Sequence, residues 1–491
     1  MSQLLYYYQR PDPATWVFLS TFLMFGLYFV FHRVWSVRNL DLILLTLLAP
    51  GLMMVYEGRK ARMGQVESIA QGAPLAENSI FQHVTHDGHT EITGQEQLTL
   101  VSSNTSGRWL HSAASSESST PGELLSFSGS SLDAVRIEFL GFVCLLGTCG
   151  LLTLRMLLDP ALVRRPLLEP NLSIGGLSFI GISLFFFLMG NVITSDPHEV
   201  HHRKMGPGYV LLNMLPELPT TPEHEGQPWS SPESGDPKQN LARVLAIVSN
   251  MAIVFGIVAV GYWHFDNIKT GIGCATMYLL LPYTAQMTGN VEHALPAALL
   301  TLAVLTYRQP LLSGSFLGLA AGLVYYPFFL LPLWISFYWQ RGLGRFLSGV
   351  VTMLVVLCGL LLLDGVPTMA GHLQQMFGLW SPQMKDLQGV WDGPGINPIF
   401  RLPVLVGFIL LSGSFAFWPT RKNLGTLMCG SAAVMLAAQF WHGYGGGLFM
   451  AWFLPMVLLT MFRPNLDDRI GSRVVSPKAL GNGRITVSAA S

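Results

Sequence analysis

The stretch Tyr278–Trp334, "YLLLPYTAQMTGNVEHALPAALLTLAVLTYRQPLLSGSFLGLAAGLVYYPFFLLPLW", decides how the chain folds. Polar residues are rare in it, and its apolar runs are interrupted at Gly289-Asn290, at Arg308 and at Pro327. With the residues just before and after it, it divides into helix-sized segments near 272–288, 294–306, 311–325 and 327–339. A proline removes a helix bond. The last two segments are therefore either one kinked span or a hairpin of two half-length helices.

The same character extends outward along the chain. It has 491 residues, of which 51% are hydrophobic and 11% charged, and its mean hydropathy is +0.44. A soluble domain usually carries about 25% charged residues. Runs such as Leu172–Ile193, Val244–Val260 and Phe346–Leu363 are long enough to cross a hydrocarbon core of about 30 Å. An all-α polytopic membrane protein is expected, with about 11–13 membrane helices. Further spans are read near 14–31, 40–56, 137–158, 172–193, 241–263, 347–364, 401–418, 423–440 and 446–462. The first of these reads as a retained span, because no basic n-region or small-residue cleavage site precedes it. A formal net charge of zero gives no sign of a nucleic-acid partner. The five cysteines all lie in apolar segments, so neither a disulfide framework nor a CxxC site is expected.

Basic residues near short loops set orientation. With the tail (Arg463, Arg469, Arg473, Lys478, Arg484) inside, alternation also places Arg33/Arg38, Arg155/Arg164/Arg165, Arg341/Arg345 and Arg421/Lys422 inside. The hairpin at Pro327 is needed for that agreement. "EGRKARMG" (Arg59, Lys60, Arg62) falls outside and runs against the rule. The expected location is the cytoplasmic (inner) membrane, with a disordered cytoplasmic tail over 463–491. Three polar stretches then face outward: Glu57–Glu138, Thr194–Asn240 and Gly365–Phe400. The first has ten acidic against five basic residues, and "HTEITGQEQLTLVSS" (His89–Ser103) alternates in part, so a polar, partly β insert is expected there.

Tyr278–Trp334 resembles the GT-C superfamily of membrane glycosyltransferases, most closely its polyprenyl-phosphate-mannose-dependent mannosyltransferases. The resemblance lies in the turn Gly289-Asn290, the basic turn at Arg308, the small-residue helix "LGLAA" (Leu317–Ala321) and the break at Pro327. "GINPIFRL" (Gly395–Leu402) and "QFWHGYGGGLFMAWFLP" (Gln439–Pro455) are similar to later parts of that family. The likeness covers about 172–462. It implies a GT-C-like core there, behind an N-terminal three-span extension, 1–171, with its large outer loop 57–138.

The resemblance also implies a reaction: a hexose moves from a polyprenyl-phosphate donor to an unidentified acceptor at the outer face, with no cofactor. The family's acid sits at the outer end of its first core helix, which offers Asp196 as the catalytic base and Glu199 as second choice. His198, Arg203, Lys204, Asn290, Arg401 and His442 are carried over as donor-phosphate or substrate-binding candidates. Two positions depart from the family: Val324 stands where a lysine is usual before the tyrosine–proline break, and "GN" replaces "GQ". A protein of this fold without transfer activity, or a transporter or assembly protein, is therefore a further alternative.

"SDPHEVHHRKMG" (Ser195–Gly206) contains His198, Glu199 and His202 in the H-E-x-x-H spacing that binds zinc when both histidines share a helix face. An intramembrane zinc metalloprotease is the alternative from another enzyme class, with Asp364-Gly365 as source of a third ligand. Gly206-Pro207-Gly208 would stop such a helix after about two turns, and the motif lies in a polar loop. Arg243, Ser249 and Asn250 read as interhelix hydrogen-bonding residues. Trp380, Trp391 and Trp441 read first as an interfacial aromatic belt.

Overall fold

A computed structural model describes residues 12–72, 121–162, 168–195, 237–362, 387–393, 396–420 and 422–464, with 212, 215–216 and 218–220. The described residues are helical, apart from turns and one isolated parallel bridge between Gln388 and Tyr444. The helices are α1 (Pro13–Tyr28), α2 (Val37–Thr46), α3 (Leu48–Gly72), α4 (Pro121–Leu158), α5 (Ile174–Ile193), α6 (Pro237–Trp263), α7 (Ile268–Leu280) and α8 (Pro282–Met287). There follow α9 (Val291–Leu305), α10 (Pro310–Leu323), α11 (Leu331–Tyr338), α12 (Leu343–Leu362), α13 (Arg401–Phe417), α14 (Leu424–Trp441) and α15 (Leu454–Phe462).

Local chemistry starts several of them. Asp12 accepts from Ala14 N ahead of Pro13, Ser173 accepts from Gly176 N, and Asn423 and Thr426 cap each other reciprocally. Pro282 ends α7, and the chain is already extended at Val324, before Pro327. The expected break at Pro327 is therefore present, as a 3₁₀ turn over Tyr326–Leu330 leading into α11.

Seven segments are long and apolar enough to cross a membrane: Val37–Arg62, Asp133–Ala161, Ile174–Ile193, Pro237–Trp263, Leu343–Leu360, Pro398–Phe417 and Leu424–Trp441. Pro13–Tyr28, Val291–Leu305, Pro310–Leu323 and Tyr326–Tyr338 are shorter apolar helices. Phe179, Phe186, Phe255, Val355 and Leu410 expose apolar surface of a kind that water disfavours and lipid accepts. The chain is a helical multipass membrane protein.

Two compact units divide it: Met1–Met53 with Gly141–Ser491, and Met54–Leu140. In the smaller unit, Glu138 pairs with Arg59 at 3.2 Å and with Arg62 at 2.9 Å. Two of the cations that offend the orientation rule are thus matched by an acid. Helix also occupies both flanks of the stretch read as an insert, since α3 continues to Gly72 and α4 begins at Pro121. The expected β character at His89–Ser103 lies outside the described residues.

In the larger unit, α14 is the central helix, with nearly every residue buried. Connections between helices gather at two ends. At one, His264 Nε2 lies 2.7 Å from Leu305 O, Tyr338 Oη donates to Tyr307 O, and Arg38 donates to the carbonyls of Tyr28 and Glu169. Lys422 donates to Pro419 O at 3.0 Å there, and burial holds its ammonium below the usual lysine range. This is called the tail end, because α15 finishes there.

The tail end is locked by an ion chain that joins distant parts of the sequence. Arg155 of α4 donates to both oxygens of Asp41 on α2, at 2.6 and 3.0 Å, and to Asp159 at 3.1 Å. The second oxygen of Asp159 takes the guanidinium of Arg463, just past α15. Asp41, Arg155 and Asp159 are buried, and among the described residues two cations meet two anions here.

Glycines set the closest helix contact. α10 and α12 run parallel, with Gly314 against Phe346, Gly318 against Val350 and Gly322 against Leu357. Small residues four apart let two backbones approach. A Cβ added at Gly318 would lie 2.7 Å from both Cα and O of Val350, so backbone would have to move. Gly318→Leu is expected to cost about 1–3 kcal/mol in a thermal melt in detergent. Gly407→Leu, where nothing lies within 4 Å, is the matched control and should be neutral. Equal melting of the two variants would contradict the close α10–α12 contact.

Candidate functional site

Asp196, His198, Glu199, His202, Arg203 and Lys204 lie outside the described residues, as do Asp364-Gly365 and Trp380. Asn290, Arg401 and His442 are described, and all three stand at the end opposite the tail. Two of them meet. Arg401, the first residue of α13, is buried and donates to Trp441 O at 3.0 Å, with its guanidinium carbon 5.7 Å from the Trp441 ring centroid. His442 follows Trp441 and is 1% exposed. Its ring stacks on Tyr326 at 5.0 Å and packs against Phe449 at 4.2 Å and Trp452 at 5.8 Å. Nδ1 of His442 accepts from Tyr444 N, which assigns the ring proton of the neutral form to Nε2.

The loop that carries His442 is held from several sides. Gln439 Oε1 accepts from Gly447 N at 3.0 Å, and a Cβ on Gly446 would lie 2.0 Å from Gln439 O. Gly447 has φ +100°, a conformation that side chains other than hydrogen rarely adopt. Gln388 N donates to Gly443 O, and Gly445 N donates to Gln388 O. Trp391 Nε1 donates to Phe440 O. Trp391 and Trp441 are thus both buried struts of this site and not rings of an interfacial belt, a correction to the composition-based expectation. Trp441 Nε1 is buried without a hydrogen-bond partner among the described residues. A buried donor of that kind is uncommon and suits a ligand or a water.

Val324 is fully buried and places no cation before the tyrosine pair. Arg401 and the two tyrosines that follow Val324 meet on one ring, that of Trp441. Tyr325 packs edge-on against Trp441 at 5.8 Å. The break between α10 and α11 thus meets a guanidinium that arrives from α13.

Asn290 belongs to a neighbouring group. It precedes α9, and among the described residues its amide donates to Met287 Sδ at 3.6 Å, a weak interaction. Two residues on, Trp452 Nε1 donates to Glu292 O at 3.2 Å, and Phe449 packs on His293 at 4.5 Å. Phe449 therefore touches both His293 and His442. Glu292, His293, Tyr325, Tyr326 and Trp452 are site residues that motif reading passes over. The pair Glu292-His293 carried a signal, since ionisable residues inside an apolar segment are expensive and mark function.

Asn250 Nδ2 on α6 donates to Thr288 O at 3.0 Å. From Asn250, α6 continues back to Pro237, about 20 Å of further helix. α9 and α10 have only 15 and 14 residues, about 22 Å each. Arg243 donates to Ser195 O at 3.0 Å, so Arg243 and Asn250 make the interhelix contacts expected of them. Ser249 Oγ is buried without a partner among the described residues.

Among the described residues, no three His, Cys, Asp or Glu side chains come together as a metal-binding group. Searches against protein families, curated proteins and solved structures find no match.

Proposed function

We propose that the protein is a membrane glycosyltransferase that moves a hexose from a polyprenyl-phosphate donor to an acceptor hydroxyl. One observation carries this reading. Arg401 and the pair Tyr325-Tyr326 pack against the same Trp441 ring at the break, where the resembling family usually has a lysine and this chain has Val324. Arg401 supplies the charge that the departing phosphate needs, in a buried setting where such an interaction is strong. His442 and the Trp441 N–H are further donors. Asp196, one residue past the Ser195 carbonyl held by Arg243, is the base that takes the proton of the acceptor hydroxyl.

The test uses the full chain in lipid vesicles with radiolabelled polyprenyl-phosphate hexoses and, in parallel, labelled nucleotide sugars. Label is expected to leave the lipid-phosphate donor only. Absence of turnover with every polyprenyl-phosphate hexose would sink the reading. Donor binding without turnover would instead favour the inactive, transport or assembly alternative.

A further inference from the structure

We infer that one corner of the tail end binds an anionic phospholipid, whose phosphate meets Arg308, Arg341 and Arg345 while an acyl chain lies along α12. The inference is independent of the transfer reaction proposed above. It starts from charge. Between His293 and Leu363 the sequence has no acidic residue, yet it has these three arginines.

Packing brings them to one corner, where α9 turns into α10 and α11 turns into α12. Tyr338 Oη donates to Tyr307 O at 2.6 Å, which ties the residue before Arg308 to the last residue of α11. Arg341 N donates to Tyr338 O at 2.8 Å. Gly342, at φ +102°, sets its backbone against the start of α10, and a Cβ there would lie 3.1 Å from Pro310 Cγ. Arg345 stands in the first turn of α12, and its neighbour Phe346 stacks on Tyr338 at 4.8 Å. Arg308 and Arg345 are exposed, and Arg341 is half-buried.

Other cations at this end are matched. Arg155 and Arg463 take carboxylates, and Arg38 takes two carbonyls. Among the described residues, Arg308, Arg341 and Arg345 have no ion pair, and Arg308 donates to its own neighbour, Tyr307 Oη, at 3.2 Å. The adjoining turn, tied in through His264 and Leu305 O, brings Asp266 and Lys269, one charge of each sign. An arginine in a helix's first turn stands on the side that the dipole disfavours, so folding alone gives little reason for Arg345.

Loop arginines that only set orientation would account for the charge. They would not account for the apolar surface that begins beside it. Trp339, Leu311 and Leu312 are exposed next to the arginines. On α12, Arg345, Val351, Val355, Val356 and Leu360 are exposed along one face of the helix. From Arg345 to Leu360 that face runs about 22 Å, more than the roughly 15 Å that one leaflet of a 30 Å core gives an acyl chain. The site is therefore an outer surface that faces lipid, and it needs no cavity. Guanidinium forks match phosphate oxygens in pairs, and basic clusters beside membrane helices suit anionic headgroups. A zwitterionic headgroup carries its own cation and gains less.

The experiment uses the full chain in mild detergent. Phosphatidylglycerol, phosphatidylcholine or chain-free glycerol phosphate is titrated in, and bound lipid is counted by native mass spectrometry. Each arginine is expected to contribute about fivefold to phosphatidylglycerol affinity, so the triple variant Arg308→Gln, Arg341→Gln, Arg345→Gln should lose about 10²-fold. Its phosphatidylcholine affinity and its lipid-free melting should stay near wild type. Phosphatidylglycerol should raise the melting temperature of wild type and not of the triple variant. Lys269→Gln, one charge removed from the adjoining turn, should bind as wild type does. Equal phosphatidylglycerol affinity in wild type and triple variant would overturn the site. A fall shared by phosphatidylcholine, with lowered lipid-free melting, would overturn it in favour of a structural role for the arginines. A loss in Lys269→Gln as large as in each single arginine variant would reduce it to general surface charge. Displacement of the lipid by glycerol phosphate at equal concentration would remove the acyl chain from the proposal.

Discussion

Arg155→Met is expected to destabilise the protein by about 3–5 kcal/mol, seen as a large fall in detergent melting temperature and in yield of monodisperse protein. The argument starts from desolvation. Asp41 and Asp159 are held out of water, and the forked bond from Arg155 to Asp41 with the third bond to Asp159 offsets that cost. Methionine keeps much of the volume but leaves Asp41 with none of these bonds and Asp159 with Arg463. An uncompensated buried charge is more costly than the pair was favourable. The double variant Asp41→Asn, Arg155→Met, which keeps the Asp159–Arg463 pair, should therefore recover much of the loss. Arg155→Met melting within about 0.5 kcal/mol of wild type would show that the chain of charges is not what closes this end.

At the opposite end, Arg401→Gln is expected to lower transfer about 10²–10³-fold, the range for removing one preorganised donor to a developing charge. Glutamine keeps a donor for the Trp441 carbonyl, which separates loss of charge from loss of the strut. Arg401→Lys should keep an intermediate rate, because lysine is a point charge without the planar fork. The loss should appear in turnover more than in donor retention, since charge on the phosphate grows in the transition state. Asp196→Asn belongs to the same assay and should lose about 10²–10⁴-fold as the base is removed. A wild-type rate in Arg401→Gln would detach the buried cluster from the chemistry.

The apolar rhythm made the helices legible. Each stretch read as a span contains helix, because twenty apolar residues in lipid leave the backbone no other partner. The break at Pro327 followed from proline chemistry, whereas 272–288, read as one span, is divided at Pro282. Long-range pairing was not legible. Arg155 and Asp41 are 114 positions apart, Arg463 and Asp159 are 304 apart, and no local pattern announces either. "EGRKARMG" reads as the end of a span, yet α3 continues through it, its arginines matched by Glu138 from another helix. At the site, Arg401 and His442 were carried over by resemblance, and packing brings them together through Trp441. The burial of Trp391 and Trp441 is a property of the loop that closes over them. Glu292 and His293 were visible as polar letters in an apolar run, but their partner Tyr283 emerges only once α8 and α9 fold against each other.

The shortness of α1 reaches beyond the protein. Its 16 residues span about 24 Å, and Phe18, Leu19 and Phe22 are exposed on it. A hydrocarbon slab is about 30 Å thick. A helix shorter than the slab is accommodated by local thinning of the bilayer, at a cost of fractions of a kcal/mol per Å of mismatch. Shorter acyl chains should therefore suit the exposed flank of α1 better than the 27-residue α6, and lipid chain length is expected to act on this protein as a graded mechanical load.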